Sequence, residues 1–514
     1  MDLKELNDYY HKIKYSEDIF HNLMQKKVSE ILLVSTFYDA YIFEQDGRLS
    51  DQIYGEYRQL NLSTAPRIIS VPTGERALEM LKKKRYDLVI TMMRIGEISP
   101  FDLSKKIKEL YPDLPILLLL NGSHDIGLLD KENYDLENID NVFSWHGDSK
   151  IFLTMVKYIE DFWNVENDTE KGSVRVILLV EDSIHYYSMF HSLLYEEILK
   201  QTQKLIDEEL DDISKRRRMR GRPKVLLCHN YESAIELYEK YRKYIIAVIS
   251  DISYQKDGRE DPVAGLKLIR DLRNRDADCP ILLQSSELEN RSEAEKLKVH
   301  FLHKTSKRLL HDLRDFILKN SGFGPFIFRF EDGREITRIN TVEEFVSVLE
   351  NIPDESLLYH SSQNSFSAWL TAHGEFLFAK RIHDLKISDF DSTKQIRELL
   401  IALFKEVRFT KYRGKVIQYF PGSLHIEEEI IRLAEGSLGG KGRGLAFMNS
   451  LFAAMDFTQK YDNITVKIPK TAVIGTNEFD EFLERNDINI DIIHNYSDKK
   501  INHLFLQGKL SSKL

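Results

Sequence analysis

Two stretches of this chain repeat one order of apolar runs, and that repetition limits the fold more than any other feature. The first reads Glu30-Ile-Leu-Leu-Val-Ser-Thr, then Pro66-Arg-Ile-Ile-Ser-Val, Tyr86-Asp-Leu-Val-Ile-Thr-Met, Pro115-Ile-Leu-Leu-Leu-Leu-Asn and Val142-Phe-Ser-Trp. The second reads Val176-Ile-Leu-Leu-Val-Glu-Asp-Ser, then Lys224-Val-Leu-Leu-Cys, Ile246-Ala-Val-Ile-Ser-Asp, Pro280-Ile-Leu-Leu-Gln-Ser-Ser and Phe301-Leu-His-Lys. Short, continuously apolar runs alternating with amphipathic segments predict parallel strands covered on both faces, a doubly wound α/β arrangement. The repeat therefore predicts two tandem five-stranded parallel sheets, over 1–165 and 173–320. The chain has 514 residues, and at roughly 100–200 residues per domain it has room for more.

In doubly wound sheets the ligand sits beyond the carboxyl ends of the strands. In the second copy those ends carry Glu181, Asp182, Asp251, Ser285 and Lys304. Three carboxylates crowding one pocket repel one another unless a divalent cation, most simply Mg²⁺, is bound between them. One carboxylate can then act as nucleophile toward a phosphoryl group, with Lys304 supplying a second positive charge. The Ser285 hydroxyl is placed to bond a phosphoryl oxygen after transfer.

This arrangement resembles the receiver domain of two-component response regulators, a flavodoxin-like fold. The resemblance implies Glu181 and Asp182 as the acidic pair, Asp251 as phosphoacceptor, Ser285 as switch hydroxyl and Lys304 as the lysine. It also implies Phe301 as the aromatic whose rotamer reports the switch, and the Ser253 carbonyl as completing the metal shell. Two positions depart from the family: Thr305 stands where proline is usual, and the segment Tyr254 to Asp261 is longer and more polar. In the first copy Ser35 and Thr36 occupy the acidic-pair positions, Met92 the nucleophile position, Leu120 the switch position and Trp145 the lysine position. That copy is expected to be a pseudo-receiver, kept for dimerisation or partner docking. An opening helix, Leu3 to Val28, is expected to pack on it or on a second chain.

The first helix of the second copy is expected to run from Ile184 to Arg218, ending in the basic run Arg216 to Lys224. An isolated Arg-Gly-Arg-Pro can enter a narrow minor groove. Here it leads straight into the strand Val225 to Cys228, so it reads as a connector, and DNA is not expected as a partner. From Gly322 to about Ile430 the pattern changes to a small α/β connecting domain. Thr341 and Glu344 there have capping-box spacing, and His360, Asn364 and Ser365 read as a hydrogen-bonded loop.

A glycine-rich segment follows: Gly436-Ser-Leu-Gly-Gly-Lys-Gly-Arg-Gly-Leu-Ala-Phe-Met448. Gly439, Gly440 and Gly442 would let backbone N–H groups approach phosphates, with Lys441 and Arg443 adding charge. With Val466-Lys-Ile-Pro-Lys-Thr-Ala-Val-Ile-Gly-Thr-Asn-Glu-Phe it resembles the opening of the ATP-binding domain of the pyruvate phosphate dikinase and phosphoenolpyruvate synthase family. The resemblance implies that 431–514 begins an ATP-grasp-like module whose Lys441 contacts ATP phosphates, and that the chain is a fragment of a longer bacterial protein. The terminal Ser512-Lys513-Leu514 matches a peroxisomal address, which a bacterial source makes irrelevant.

Acidic residues number 82 against 72 basic, a balance unsuited to non-specific nucleic-acid binding. No apolar run approaches the roughly 20 residues of a membrane span, and two cysteines make no disulfide framework. The expectation is a cytoplasmic, bacterial phosphorelay response regulator, phosphorylated on Asp251 by a sensor histidine kinase or a small phosphodonor and coupled to a dikinase-like output. A homodimer through the receiver faces is compatible with it. The alternatives are an ATP-dependent phosphotransferase with the receivers as scaffold, and a non-catalytic interaction protein.

Overall fold

A computed structural model describes residues 22–39, 53–55, 57, 65–132, 134–206, 219–275, 279–320, 324–373, 375–383, 385–412, 416–418, 430–433, 436–455, 468–489 and 495–511. The chain divides into two compact units, one of 1–340 with 352–396 and one of 341–351 with 397–514.

The first unit begins with a sheet of β1 (Glu30–Val34), β2 (Arg67–Val71), β3 (Leu88–Met92), β4 (Ile116–Leu120) and β5 (Asn141–Ser144). Its order is β2-β1-β3-β4-β5, with every pairing parallel. The helices α1 (Gly74–Lys83), α2 (Pro100–Leu110), α3 (Ser123–Glu132) and α4 (Lys150–Gly172) complete this half. The Thr73 and Ser99 side chains cap α1 and α2 by accepting the N–H groups of Arg76 and Asp102, which satisfies donors that a helix start leaves unpaired.

The second sheet contains β6 (Val176–Val180), β7 (Lys224–Cys228), β8 (Ile245–Asp251), β11 (Ile281–Ser285) and β12 (His300–His303), in the order β7-β6-β8-β11-β12 and again all parallel. Both halves therefore have one topology, and the doubly wound α/β reading holds for each. Helices α5 (Ile184–Ile206), α6 (Tyr231–Tyr241), α7 (Ala264–Arg275), α8 (Arg291–Lys296) and α9 (Leu309–Asn320) cover it. Apolar side chains pack on both faces of this sheet. That is why β6 is buried at every residue and reads as a continuous apolar run rather than an alternating one. The polar insertion at Tyr254 to Asp261 folds as an antiparallel hairpin of β9 (Tyr254–Lys256) and β10 (Arg259–Asp261). Asp257 and Gly258 turn it with φ of 52° and 71°, the two positive values that a type I′ turn needs.

The two halves meet along α4 and α5. Asp161, fully buried on α4, accepts two bonds from the Arg222 guanidinium (2.7 and 3.0 Å), one from the Tyr195 hydroxyl at 2.8 Å and one from the Val225 N–H at 3.0 Å. Lys224 pairs with Asp168 at 2.8 Å. Arg222 is thus consumed by an internal ion pair, consistent with the connector reading of the basic run; residues 207–218 lie outside the described part.

The opening helix requires correction at its end. Residues up to 21 lie outside the described part, and 22–29 carry no α-helix. This segment instead lies along α4. Met24 N–H donates to Asp168 at 3.0 Å, Lys26 N–H to Asn164 at 2.9 Å and Val28 N–H to Glu160 at 3.2 Å. Acceptors four residues apart on one helix face thus take alternate N–H groups of an irregular segment, which bends through Met24 at φ 51°.

The stretch 322–430 is shared between the units. In the first unit lie an antiparallel pair, β13 (Phe326–Arg329) with β14 (Glu335–Ile339), and the helices α11 (Asp354–Ser362), α12 (Ser365–Ala372) and α13 (Phe376–His383). His360 and Ser365 are therefore helical residues, with Asn364 at φ 52° between two helices, where a single loop was expected. The second unit contains α10 (Val342–Asn351), most of α14 (Thr393–Tyr412), and a parallel sheet of β15 (Val416–Gln418), β16 (Ile430–Arg432) and β17 (Thr471–Val473). Phe345 stacks on Phe404 within it, 4.1 Å between centroids. It also holds α15 (Gly439–Met455), α16 (Thr476–Arg485) and α17 (Asp498–Gln507).

Candidate functional site

The carboxyl ends of β6, β8, β11 and β12 bring Glu181, Asp182, Asp251, Ser285 and Lys304 to one edge. Oxygens of Glu181, Asp182 and Asp251 lie within 4.8 Å of one another. Lys304 Nζ sits 2.6 Å from Glu181 Oε2, 2.9 Å from Asp251 Oδ1 and 4.2 Å from the centroid of the Tyr186 ring. The backbone explains the convergence. In parallel strands the residues just past the last pairing share one edge, and Glu181 N–H bonds Cys228 O while Lys304 N–H bonds Ser285 O, both at 2.9 Å.

Glu181 is fully buried. Besides Lys304 it accepts the Gln284 amide at 2.9 Å and the Ser183 N–H at 3.2 Å. Burial first, then the Asp251 charge, pushes its pKa up to about 8, while Lys304 pulls the other way. Asp182 is exposed, yet partial desolvation and the same Asp251 charge raise it to about 6. Carboxylates held this close resist ionising together, and a divalent cation bound between them relieves the repulsion. An all-oxygen donor set with one exposed member fits a hard divalent ion such as Mg²⁺.

Ser285 is buried, and its hydroxyl accepts the Glu287 N–H at 3.0 Å and the Asn290 amide at 2.9 Å. Phe301 is half-buried on β12, with the Arg291 guanidinium 5.4 Å from its ring centroid. Ser253 lies in the turn between β8 and β9, at the same strand end as Asp251.

Three residues of the site escaped the sequence reading. Gln284 reads as an ordinary strand residue, and only its register opposite Asp251 on the neighbouring β8 brings its amide to Glu181. Asn290 becomes a partner of Ser285 because a short 3₁₀ turn precedes α8. Gly265, in the first turn of α7, packs so closely on the end of β8 that a Cβ there would lie 2.0 Å from the Asp251 carbonyl oxygen. A glycine fourteen residues after Asp251 was the available signal.

In the first sheet the equivalent edge is chemically bare. Trp145 N–H bonds Leu120 O at 2.9 Å, matching the Lys304–Ser285 bond and fixing the equivalence. Ser35 bonds Ser70 at 3.2 Å and Thr36 bonds Asp39 at 2.6 Å, while Met92 and Leu120 are buried. No carboxylate or lysine replaces the missing ones at these five positions.

In the second unit Gly439 to Arg443 form the first turn of α15, with Lys441 and Arg443 exposed. The preceding turn is pinned by Ser437 N–H to Thr476 Oγ1 and Thr476 N–H to Ser437 O, each 2.9 Å.

Strand order gives the second sheet a doubly wound, flavodoxin-like arrangement, with an acidic pair, an aspartate, a hydroxyl and a lysine at one edge. No protein-family model matches the chain. Over 100 residues, 19% of the chain, it is 33% identical to the aerobic respiration control sensor protein ArcB of Escherichia coli K12, and to the same extent to that of Shigella flexneri. The chain spans only 12% of the length of these relatives. Among solved structures it is similar to a signal receiver domain of an HD domain-containing protein from Pseudomonas fluorescens Pf-5, at 22% identity, TM-score 0.20, covering 28% of this chain and 94% of that one. It is also similar to a putative two-component response regulator/GGDEF domain protein, at 16% identity, TM-score 0.24, covering 57% of this chain and 99% of that one. These similarities cover part of the chain, and among the described residues no helix is long and apolar enough to cross a membrane.

Proposed function

We propose that this chain is a phosphorelay response regulator whose Asp251 accepts a phosphoryl group in a Mg²⁺-dependent reaction. The observation that carries the reading is the meeting of three carboxylates within 4.8 Å with a lysine ammonium 2.9 Å from Asp251. Glu181, Asp182, Asp251 and the Ser253 carbonyl would hold the ion, which offsets charge on the entering phosphoryl group. Asp251 Oδ attacks the phosphorus of a phosphohistidine or an acyl phosphate. The P–N or P–O bond breaks, and its electron pair leaves with the imidazole or carboxylate. Lys304 then exchanges its carboxylate partners for a phosphoryl oxygen, and Ser285 donates to another once its hydroxyl turns from Glu287 and Asn290. The donor is a sensor histidine kinase or a small acyl phosphate.

Beryllofluoride with Mg²⁺ is the test. Saturable binding that Asp251→Ala abolishes supports the reading; its absence in the wild-type chain moves function away from this site.

The output is a dikinase-like ATP-binding module beginning near 431. Its support is the β16–α15–β17 order with a glycine-rich first turn presenting Lys441 and Arg443, since a helix start after a parallel strand suits phosphate. ATP binding lost in Lys441→Ala, with beryllofluoride binding intact, is the expected result.

A further inference from the structure

A second polar site lies at the opposite end of the second sheet. A cavity of about 1040 Å³ opens at the amino ends of β8 and β11, where Ile245, Ile246, Cys279 and Pro280 form one wall. Residues of β13, α11, α12 and the segment after α13 form the others. Among the described residues that line it, Arg175, Arg242, Lys243, Arg329 and Lys386 are cationic and none is acidic.

Three buried cations elsewhere in this unit face carboxylates: Arg222 faces Asp161, Lys224 faces Asp168, and Lys304 faces Glu181 and Asp251. Arg175 breaks that pattern. It is 4% exposed, and its guanidinium donates only to neutral oxygens, Lys243 O at 3.2 Å and Ser367 Oγ at 2.8 Å. Its Nε–H has no partner. Burial lowers its pKa to about 10, which still leaves it charged at neutral pH. An uncompensated buried charge is costly, and a bound anion removes the cost.

Two further donors share the wall. His360, 3% exposed, accepts the Arg329 N–H at Nε2 (3.1 Å), so its proton is on Nδ1, and that atom is unpartnered. The Ser361 hydroxyl is also buried without a partner. Burial and then the Arg329 charge hold His360 down at about 4, so at neutral pH it is a neutral N–H donor. Three unpartnered buried donors thus belong to residues that line a cavity too large for a lone oxyanion, which suits an anion attached to a larger body.

We propose that this cavity binds an organic phosphate of nucleotide size, with the phosphate at Arg175, His360 and Ser361. The site is separate from the phosphoacceptor edge, which lies at the other end of the same strands.

The test uses the full chain without Mg²⁺, so that the carboxylate site takes no phosphoryl analogue. Thermal shift and Trp369 fluorescence are read against AMP, glycerol 3-phosphate and inorganic phosphate. Saturable binding of AMP or glycerol 3-phosphate, tighter than that of inorganic phosphate, is expected; whichever of the two binds better identifies the organic body. Arg175→Met should abolish binding while raising the melting temperature of the unliganded chain, because the uncompensated charge is gone. Ser361→Ala should leave the unliganded melting temperature unchanged and weaken binding about tenfold, as befits the loss of one charge-assisted bond. Three outcomes overturn the proposal: no saturable binding of either organic phosphate, binding that survives both substitutions, or an Arg175→Met chain that melts lower than wild type.

Discussion

Replacing Gly265 with alanine isolates how Asp251, the proposed phosphoacceptor, is held. The new Cβ would lie 2.0 Å from the Asp251 carbonyl oxygen, 2.9 Å from the Ile252 Cα and 3.0 Å from the Asp251 carbonyl carbon. All three neighbours are backbone, so no side chain can rotate away, and the first contact is about 1.4 Å inside ordinary van der Waals distance. The junction of β8 with α7 must therefore open, straining the 2.9 Å bond from Gly265 N–H to Ile252 O. A displacement of that size at Asp251 is enough to break its 2.9 Å contact with Lys304. Overpacking of this kind costs about 1–3 kcal/mol, and beryllofluoride affinity should fall by at least about tenfold, the loss of one charge-assisted bond. Urea unfolding and a beryllofluoride–Mg²⁺ titration, run on the same samples, measure the two effects. Gly127→Ala is the control. No atom lies within 4 Å of a Cβ there, so the helix α3 should gain about 0.5–1 kcal/mol with titration unchanged. A Gly265→Ala chain that unfolds and titrates like wild type would refute the account.

Other expectations follow from the same geometry. Asp182 and Glu181 have folded pKa values raised to about 6 and about 8, so protonation competes with Mg²⁺, and affinity should rise by at least about tenfold between pH 5 and 7. Asp182→Asn should reduce that rise by about tenfold, as read by calorimetric titration. For stability the sign is opposite. A carboxyl whose folded pKa is raised contributes most below its unfolded value, and the contribution declines as pH climbs toward 6. Added Mg²⁺ should remove that decline in melts across the same pH range. Arg222→Met leaves Asp161 buried without its bidentate partner and should cost about 3–5 kcal/mol, seen as a lower urea midpoint with the slope unchanged.

Much of the phosphoacceptor edge could be read from the residues alone because it obeys local rules. Continuous apolar runs end in Glu181, Asp251, Ser285 and Lys304, and parallel strands align such ends. What escaped depends on neighbours distant in sequence. Gln284 reaches Glu181 across more than a hundred positions, and no pattern within β11 distinguishes it from a packing residue. The expected opening helix reached Val28, but tertiary acceptors on α4 hold the segment 22–29 in an irregular course. His360 and Asn364 sit in a polar stretch that resembles a loop, whereas packing of Phe326, Phe328 and Phe366 around His360 stabilises helices on either side.

By itself the sequence determined the duplicated α/β topology, the chemical poverty of the first copy and the residues at the working edge of the second. Periodicity and strand-end placement are short-range properties, and they survive without knowledge of partners. Only the tertiary structure decided where charge goes unpaired. Asp161 finds Arg222 and Asp168 finds Lys224, while Arg175 finds no carboxylate, because compensation of a buried ion depends on which distant segments the fold lays beside it.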